Sequence, residues 1–143
     1  MKNILFVEDS PSDLAAAREA LREIGAPISL HGVDNAVQAF RFLARRDDYR
    51  NAPRPDAILL DLNLPVLSGQ RVLEVLRADA AWRPILVVMF SSSLRPQDGE
   101  AAERLGARFV TKPARWADYL TFARQLQQQC LDSRGLCVGE AAG

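Results

Sequence analysis

Lysine is almost missing from this sequence. Lys2 and Lys112 stand against 16 arginines. Arginine is a broad planar fork and lysine a compact point charge, so an interior Lys112 raises the question of what needs an ammonium there. Cysteine is scarce as well. Cys130 and Cys137 lie near the C-terminus at a spacing that fits no metal or redox motif, and they read as reduced thiols. No apolar run approaches the roughly 20 residues that a membrane span requires. The run Ile4-Leu5-Phe6-Val7 is too short, and too soon followed by acids, for a signal peptide. Net charge is zero, which leaves no basic footprint for nucleic acid. These absences point to a cytoplasmic globular chain. With 143 residues, 48% of them hydrophobic, one domain with a sizeable core is expected.

The hydrophobic period switches repeatedly along the chain. Residues 3–8 read as a buried strand. Ser10, Pro11 and Asp13 then form a helix start, with Ser10 as N-cap, Pro11 at the first helical position and Asp13 closing a capping box. Leu14, Ala17, Leu21 and Ile24 give that helix its stripe, and Gly25 stops it. A short strand follows at 28–33. A second helix, capped by Asp34 or Asn35, carries Val37, Phe40 and Leu43. Residues 45–55 are polar and Pro-bearing, a loop. Strand 57–60 ends at Asp61, and Val72, Val75 and Leu76 mark a third helix. Strand 85–90 ends in Ser91-Ser92-Ser93, and 96–105 read as a fourth helix. Strand 108–110 is followed by Lys112-Pro113. The last helix covers 115–131, with Trp116, Leu120, Ala123 and Leu126 on one stripe. This gives a domain over 1–131 and a tail over 132–143, flexible or associated with a dimer. Five strands alternating with five helices demand an α/β fold, a doubly wound parallel sheet with helices on both faces.

Ligands of such sheets bind at the carboxyl ends of the strands. There the sequence places Glu8 and Asp9, then Asp61, Ser91 and Lys112. Crowded carboxylates repel one another and call for a cation. A donor set of oxygens alone favours a hard ion such as Mg²⁺, which keeps several waters and accepts phosphate oxygens.

Together these residues resemble the receiver domain of two-component response regulators, over roughly residues 2–131. The resemblance rests on Phe6-Val7-Glu8-Asp9, on Asp61 followed by Pro65 and Gly69, on the hydroxyl in Phe90-Ser91-Ser92, and on Phe109-Val110-Thr111-Lys112-Pro113. Among receivers, the start Glu8-Asp9-Ser10-Pro11-Ser12-Asp13, the long loop 45–55, the run Asp61-Leu62-Asn63-Leu64-Pro65 and the extended end look like the single-domain regulators paired with bacterial phytochrome histidine kinases. The resemblance implies a flavodoxin-like sheet of order 2-1-3-4-5. It implies a protein that is not an enzyme in its own right, with Asp61 accepting a phosphoryl group from a kinase phosphohistidine. Glu8, Asp9, Asp61 and the Asn63 backbone carbonyl would hold Mg²⁺. Lys112 would pair with phosphoryl oxygens, Ser91 would donate to them, and Phe109 would act with Ser91 as a switch. Pro113 would take a cis bond.

Blander readings accompany each role. Asp61 could cap a turn, Asp9 a helix, and Phe109 could be a plain core aromatic. A haloacid-dehalogenase-like phosphatase would need Asp-x-Asp, where this chain has Asp61-Leu62-Asn63. A chemotaxis-type or phosphorelay receiver, and a binding module independent of phosphorylation, stay open as alternatives. With no DNA-binding or enzymatic domain in evidence, output is expected through a partner protein. Trp116, Tyr119 and Phe122 exceed what one buried stripe needs, which suggests a homodimer through the last helix and tail.

Overall fold

The central strands are apolar at every position rather than at alternate ones, as strands covered on both faces must be. In the computed structural model, which describes residues 1–92 and 95–142 (131–142 as backbone only), they form one parallel sheet. The strands are β1 (Lys2–Val7), β2 (Ile28–Val33), β3 (Ala57–Asp61), β4 (Leu86–Ser91) and β5 (Arg108–Thr111). Their order is β2-β1-β3-β4-β5, with every pair parallel, so the expected fold and strand order hold. The helices are α1 (Pro11–Glu23), α2 (Ala36–Ala44), α3 (Gly69–Ala78), α4 (Pro96–Arg104) and α5 (Trp116–Ala142). The polar segment after α2 holds one 3₁₀ turn, Asp47–Tyr49.

The period of two along each strand divides the core into two layers. Leu5, Val7, Ile58, Leu60, Val87 and Met89 face α2, α3 and α4. Ile4, Phe6, Leu59, Val88 and Phe90 face α1 and α5.

Three details depart from the sequence reading. The buried stripe of α2 is Ala36, Ala39 and Phe42, while Val37 is exposed. Both stripes have the same spacing. The alanines win because they let the helix approach the sheet, and Phe40 instead stacks on Trp82 at 5.9 Å between centroids. In α5 the buried residues include Tyr119, Phe122, Ala123, Leu126 and Cys130, whereas Trp116 is 46% exposed at the first helical position. Tyr119 tolerates burial because its hydroxyl has a partner, Asp13. Helix α5 also runs to Ala142, past the expected 131.

Candidate functional site

Parallel strands bring their carboxyl ends to one rim. Glu8 follows β1, and its amide continues the ladder by donating to the Val33 carbonyl at 2.9 Å. Asp61 ends β3 and Ser91 ends β4. Lys112 follows β5, and its amide donates to the Ser91 carbonyl at 2.7 Å. Backbone pairing alone therefore sets four of the predicted side chains around one point. Glu8, Asp61 and Ser91 are buried polar residues, while Asp9 and Asn63 are exposed at the mouth.

The loop after Asp61 is shaped to hold that residue. The Asn63 amide donates to Asp61 Oδ1 at 3.1 Å. Pro65, Val66 and Leu67 make a tight turn, with the Leu67 amide donating to the Pro65 carbonyl at 2.7 Å and Val66 at φ 68°. Ser68 caps α3 by accepting from the Arg71 amide. Gly69 then passes so close that a Cβ on it would lie 2.2 Å from the Asp61 carbonyl oxygen and 2.8 Å from Leu62 Cα. Only glycine fits there.

Lys112 is the positive centre. Its Nζ lies 3.0 Å from Asp13 Oδ2, 3.2 Å from Glu8 Oε2 and 3.7 Å from Asp61 Oδ2. It also sits 5.5 Å from the Phe90 ring centroid. Burial pulls its pKa down, but the hydrogen bond to Asp13 and the charges of Asp61 and Glu8 outweigh that and raise it. Even so, one ammonium does not balance the carboxylates. Burial, and then the negative charge of Asp61, push Glu8 from its ordinary 4.5 up to about 7.

This imbalance is what a cation would relieve. Glu8, Asp9 and Asp61 each offer a carboxylate oxygen, all within 4.8 Å of one another. Glu8 Oε2 is buried, and although Lys112 is near, no donor meets it in hydrogen-bond geometry. An all-oxygen donor set that includes one buried carboxylate oxygen without a hydrogen-bond donor fits a divalent hard metal.

The structure brings Glu8, Asp9, Asp61, Ser91 and Lys112 to one rim. Phe109 lies farther down β5, paired in register with Met89 rather than with Ser91, and packs half-buried against the α3–α4 layer. The Lys112–Pro113 peptide is trans, as no peptide bond among the described residues is cis. Trans is the lower-energy form, and the Lys112 amide bond to Ser91 already directs the side chain to the rim.

One site residue escaped the sequence reading. Asp13 was expected to complete a capping box, yet the Ser10 amide donates instead to Glu8 Oε1 at 3.1 Å. Ser10 Oγ does accept from the Asp13 amide at 3.3 Å. The Asp13 carboxylate is left to bind Lys112 and to accept from Tyr119 Oη at 2.8 Å. The available signal was an acid in the first turn of a helix that starts at the rim, opposite the lone interior lysine.

Comparison with known proteins agrees with this geometry. The family model "Response regulator receiver domain" matches residues 4–124. Response regulator Rcp1 of Synechocystis is 31% identical over 133 residues, covering 92% of this chain and 90% of that protein. The crystal structure of its Mn²⁺-bound form superposes with a TM-score of 0.80 over 89% of this chain and 92% of that one. The phosphorylated cyanobacterial phytochrome response regulator RcpA is 32% identical, with a TM-score of 0.82 over 91% and 94% of the two chains. The bacteriophytochrome response regulator AtBRR is 33% identical, with a TM-score of 0.73 over 87% and 91%.

Proposed function

This chain belongs to the response regulator receiver family, and from that premise we propose that it accepts a phosphoryl group on Asp61 and relays the change to a partner protein. The donor is a sensor histidine kinase of the phytochrome type. The observation that carries the reading is a buried Asp61 whose carboxylate gathers with those of Glu8 and Asp9 and lies 3.7 Å from the Lys112 ammonium.

The chemistry follows from that arrangement. An Asp61 carboxylate oxygen attacks the phosphorus of the kinase phosphohistidine. The new O–P bond forms as the P–N bond breaks, and the departing imidazole keeps the electron pair and takes up a proton. The product on Asp61 is an acyl phosphate. Such transfers depend on positioning and charge neutralisation more than on covalent assistance. Asn63 orients Asp61 through its amide, and Gly69 lets α3 close against the back of the Asp61 peptide. Lys112 meets the phosphoryl oxygens as a point charge. Glu8, Asp9 and Asp61, with the Asn63 carbonyl, would hold Mg²⁺, which would supply positive charge for the phosphoryl group. Ser91 donates its hydroxyl to a phosphoryl oxygen by moving towards it, and Phe109, two residues before the Thr111 that pairs with Ser91, is the side chain proposed to respond.

The phytochrome pairing is supported by the likeness to RcpA and AtBRR, which covers most of both chains. The chain acts as a signalling module rather than as an enzyme with external turnover. Among the described residues no helix is long and apolar enough to cross a membrane, and the cytoplasm is its proposed place. For self-association through α5, Trp116 is the exposed aromatic among the described side chains, since Tyr119 and Phe122 are taken by the core.

Incubation of the wild type and Asp61→Asn with acetyl phosphate, with and without Mg²⁺, tests the reading by intact mass. One phosphoryl adduct requiring both Asp61 and Mg²⁺ is expected. A folded wild type that gains no adduct would refute the phosphoacceptor role.

A further inference from the structure

The ammonium of Lys112 is closer to Asp13 than to Asp61, at 3.0 Å against 3.7 Å. Asp13 is not among the three carboxylates whose oxygens gather at the candidate metal position. Its two oxygens are divided. Oδ2 meets Lys112, and Oδ1 accepts from the Tyr119 hydroxyl at 2.8 Å. Burial raises the Asp13 pKa, but the hydrogen bonds from Tyr119 and Lys112 outweigh it, so the carboxylate is held ionised.

Tyr119 is itself fixed. It meets Phe122 edge-on at 6.2 Å, Phe122 lies 5.0 Å from Phe90, and the Phe90 ring lies beneath Lys112. Lys112, Asp13, Tyr119, Phe122 and Phe90 thus form a closed ring of contacts. It joins the first turn of α1, the end of β4, the residue after β5 and the first turns of α5.

We propose that Asp13 is a positioning residue that holds Lys112 away from Asp61 in the resting protein, and that Tyr119 sets the strength of that hold. The inference rests on the reading of Asp61 as phosphoacceptor. A phosphoryl group on Asp61 competes for one ammonium with Asp13, its nearest partner at 3.0 Å, and with Glu8 at 3.2 Å. A ligand shifts such a balance only by its differential interaction with the two arrangements, so whatever strengthens the Asp13 contact weakens the phosphorylated state. The Tyr119 hydrogen bond draws negative charge from Asp13 and loosens its hold. When Lys112 leaves, that bond remains as a direct partner of the half-buried Asp13 carboxylate, and α5 receives the change through Tyr119.

Two conservative variants then have opposite effects. Asp13→Asn removes the competing charge, and Tyr119→Phe removes only the donor that weakens it. The readout is the affinity for beryllofluoride, a phosphoryl mimic, titrated at saturating Mg²⁺ and followed by ¹⁹F NMR, with melting curves confirming that each variant is folded. A charge-assisted contact is worth enough that Asp13→Asn should bind the mimic about tenfold more tightly. Tyr119→Phe should bind it about threefold more weakly, on the scale of one neutral hydrogen bond. In the double variant the Tyr119→Phe effect should vanish, because there is no carboxylate left to sharpen. A purely structural role would weaken binding in both single variants and in the double. Wild type that binds the mimic, with single variants shifting the same way or not at all, overturns the role of Asp13 and leaves Asp61 in place. Wild type that fails to bind the mimic overturns both.

Discussion

At the scale of single residues, the site depends on close approaches that leave a side chain no room. Gly69 is the sharpest. A methyl there would lie 2.2 Å from the Asp61 carbonyl oxygen, which is backbone in a buried strand and cannot turn aside. Gly69→Ala is therefore expected to cost about 2–4 kcal/mol, the range of overpacking plus backbone displacement, and to slow phosphoryl uptake at temperatures where the fold persists. Urea unfolding and the rate of adduct formation check this, and an unchanged midpoint would contradict the close approach. Glu8, Asp9, Asp61 and Lys112 were legible because each follows an apolar strand, where a polar residue needs a reason. Asp13 was not, because Ser10-Pro11-Ser12-Asp13 offered a complete local explanation. A capping box satisfies an acid on paper. Only the fold reveals that Glu8 has taken the Ser10 amide and freed Asp13 for Lys112.

At the scale of elements, the number and order of strands and helices could be read directly, because buried parallel strands and amphipathic helices differ in period. Rotation of a helix about its axis could not. Val37-Phe40-Leu43 and Ala36-Ala39-Phe42 are both spaced by three, and large apolar residues look like the better choice until the sheet's need for a close neighbour is known. The same held for α5, where Tyr119 faces inward only because Asp13 waits across from it. The β3–α3 connection carries a different kind of information, visible in backbone angles alone. Val66 is fully exposed at φ 68°, where a β-branched side chain is crowded and has no packing to compensate. Val66→Gly should remove that crowding and stabilise the protein by about 1 kcal/mol, less than the full relief because glycine loses more freedom on folding. A melting temperature that falls would show that the turn is not strained by the valine.

At the scale of the whole molecule, the crowded acids make stability depend on pH and on divalent cations together. Glu8 has a pKa of about 7 in the fold against an ordinary 4.5. A raised carboxylate favours the folded state when protonated, so its contribution is present in full below 4.5 and is lost as pH rises through 7. Asp13 works in the other direction, since its lowered pKa adds stability above its ordinary 3.8 that is lost only at more acid pH. His31, lowered by burial and by Arg18, loses stability as pH falls below 6.5 and so opposes Glu8 over part of the same range. The Glu8 effect is thus best isolated as the difference between wild type and Glu8→Gln, in which His31 and Asp13 are common to both. In chelator, the wild type should gain on Glu8→Gln by about 2 kcal/mol between pH 8 and pH 5.5, the linkage value for one proton taken up over that span. Saturating Mg²⁺ should stabilise the wild type relative to Glu8→Gln at pH 8, because the ion binds the ionised Glu8 of the folded wild type and stabilises it by mass action. Parallel pH curves for the two proteins in chelator would mean that Glu8 ionises in the fold as freely as in water. The carboxylate cluster would then be too well solvated to need a cation, and the case for the metal at this rim would lose its electrostatic basis.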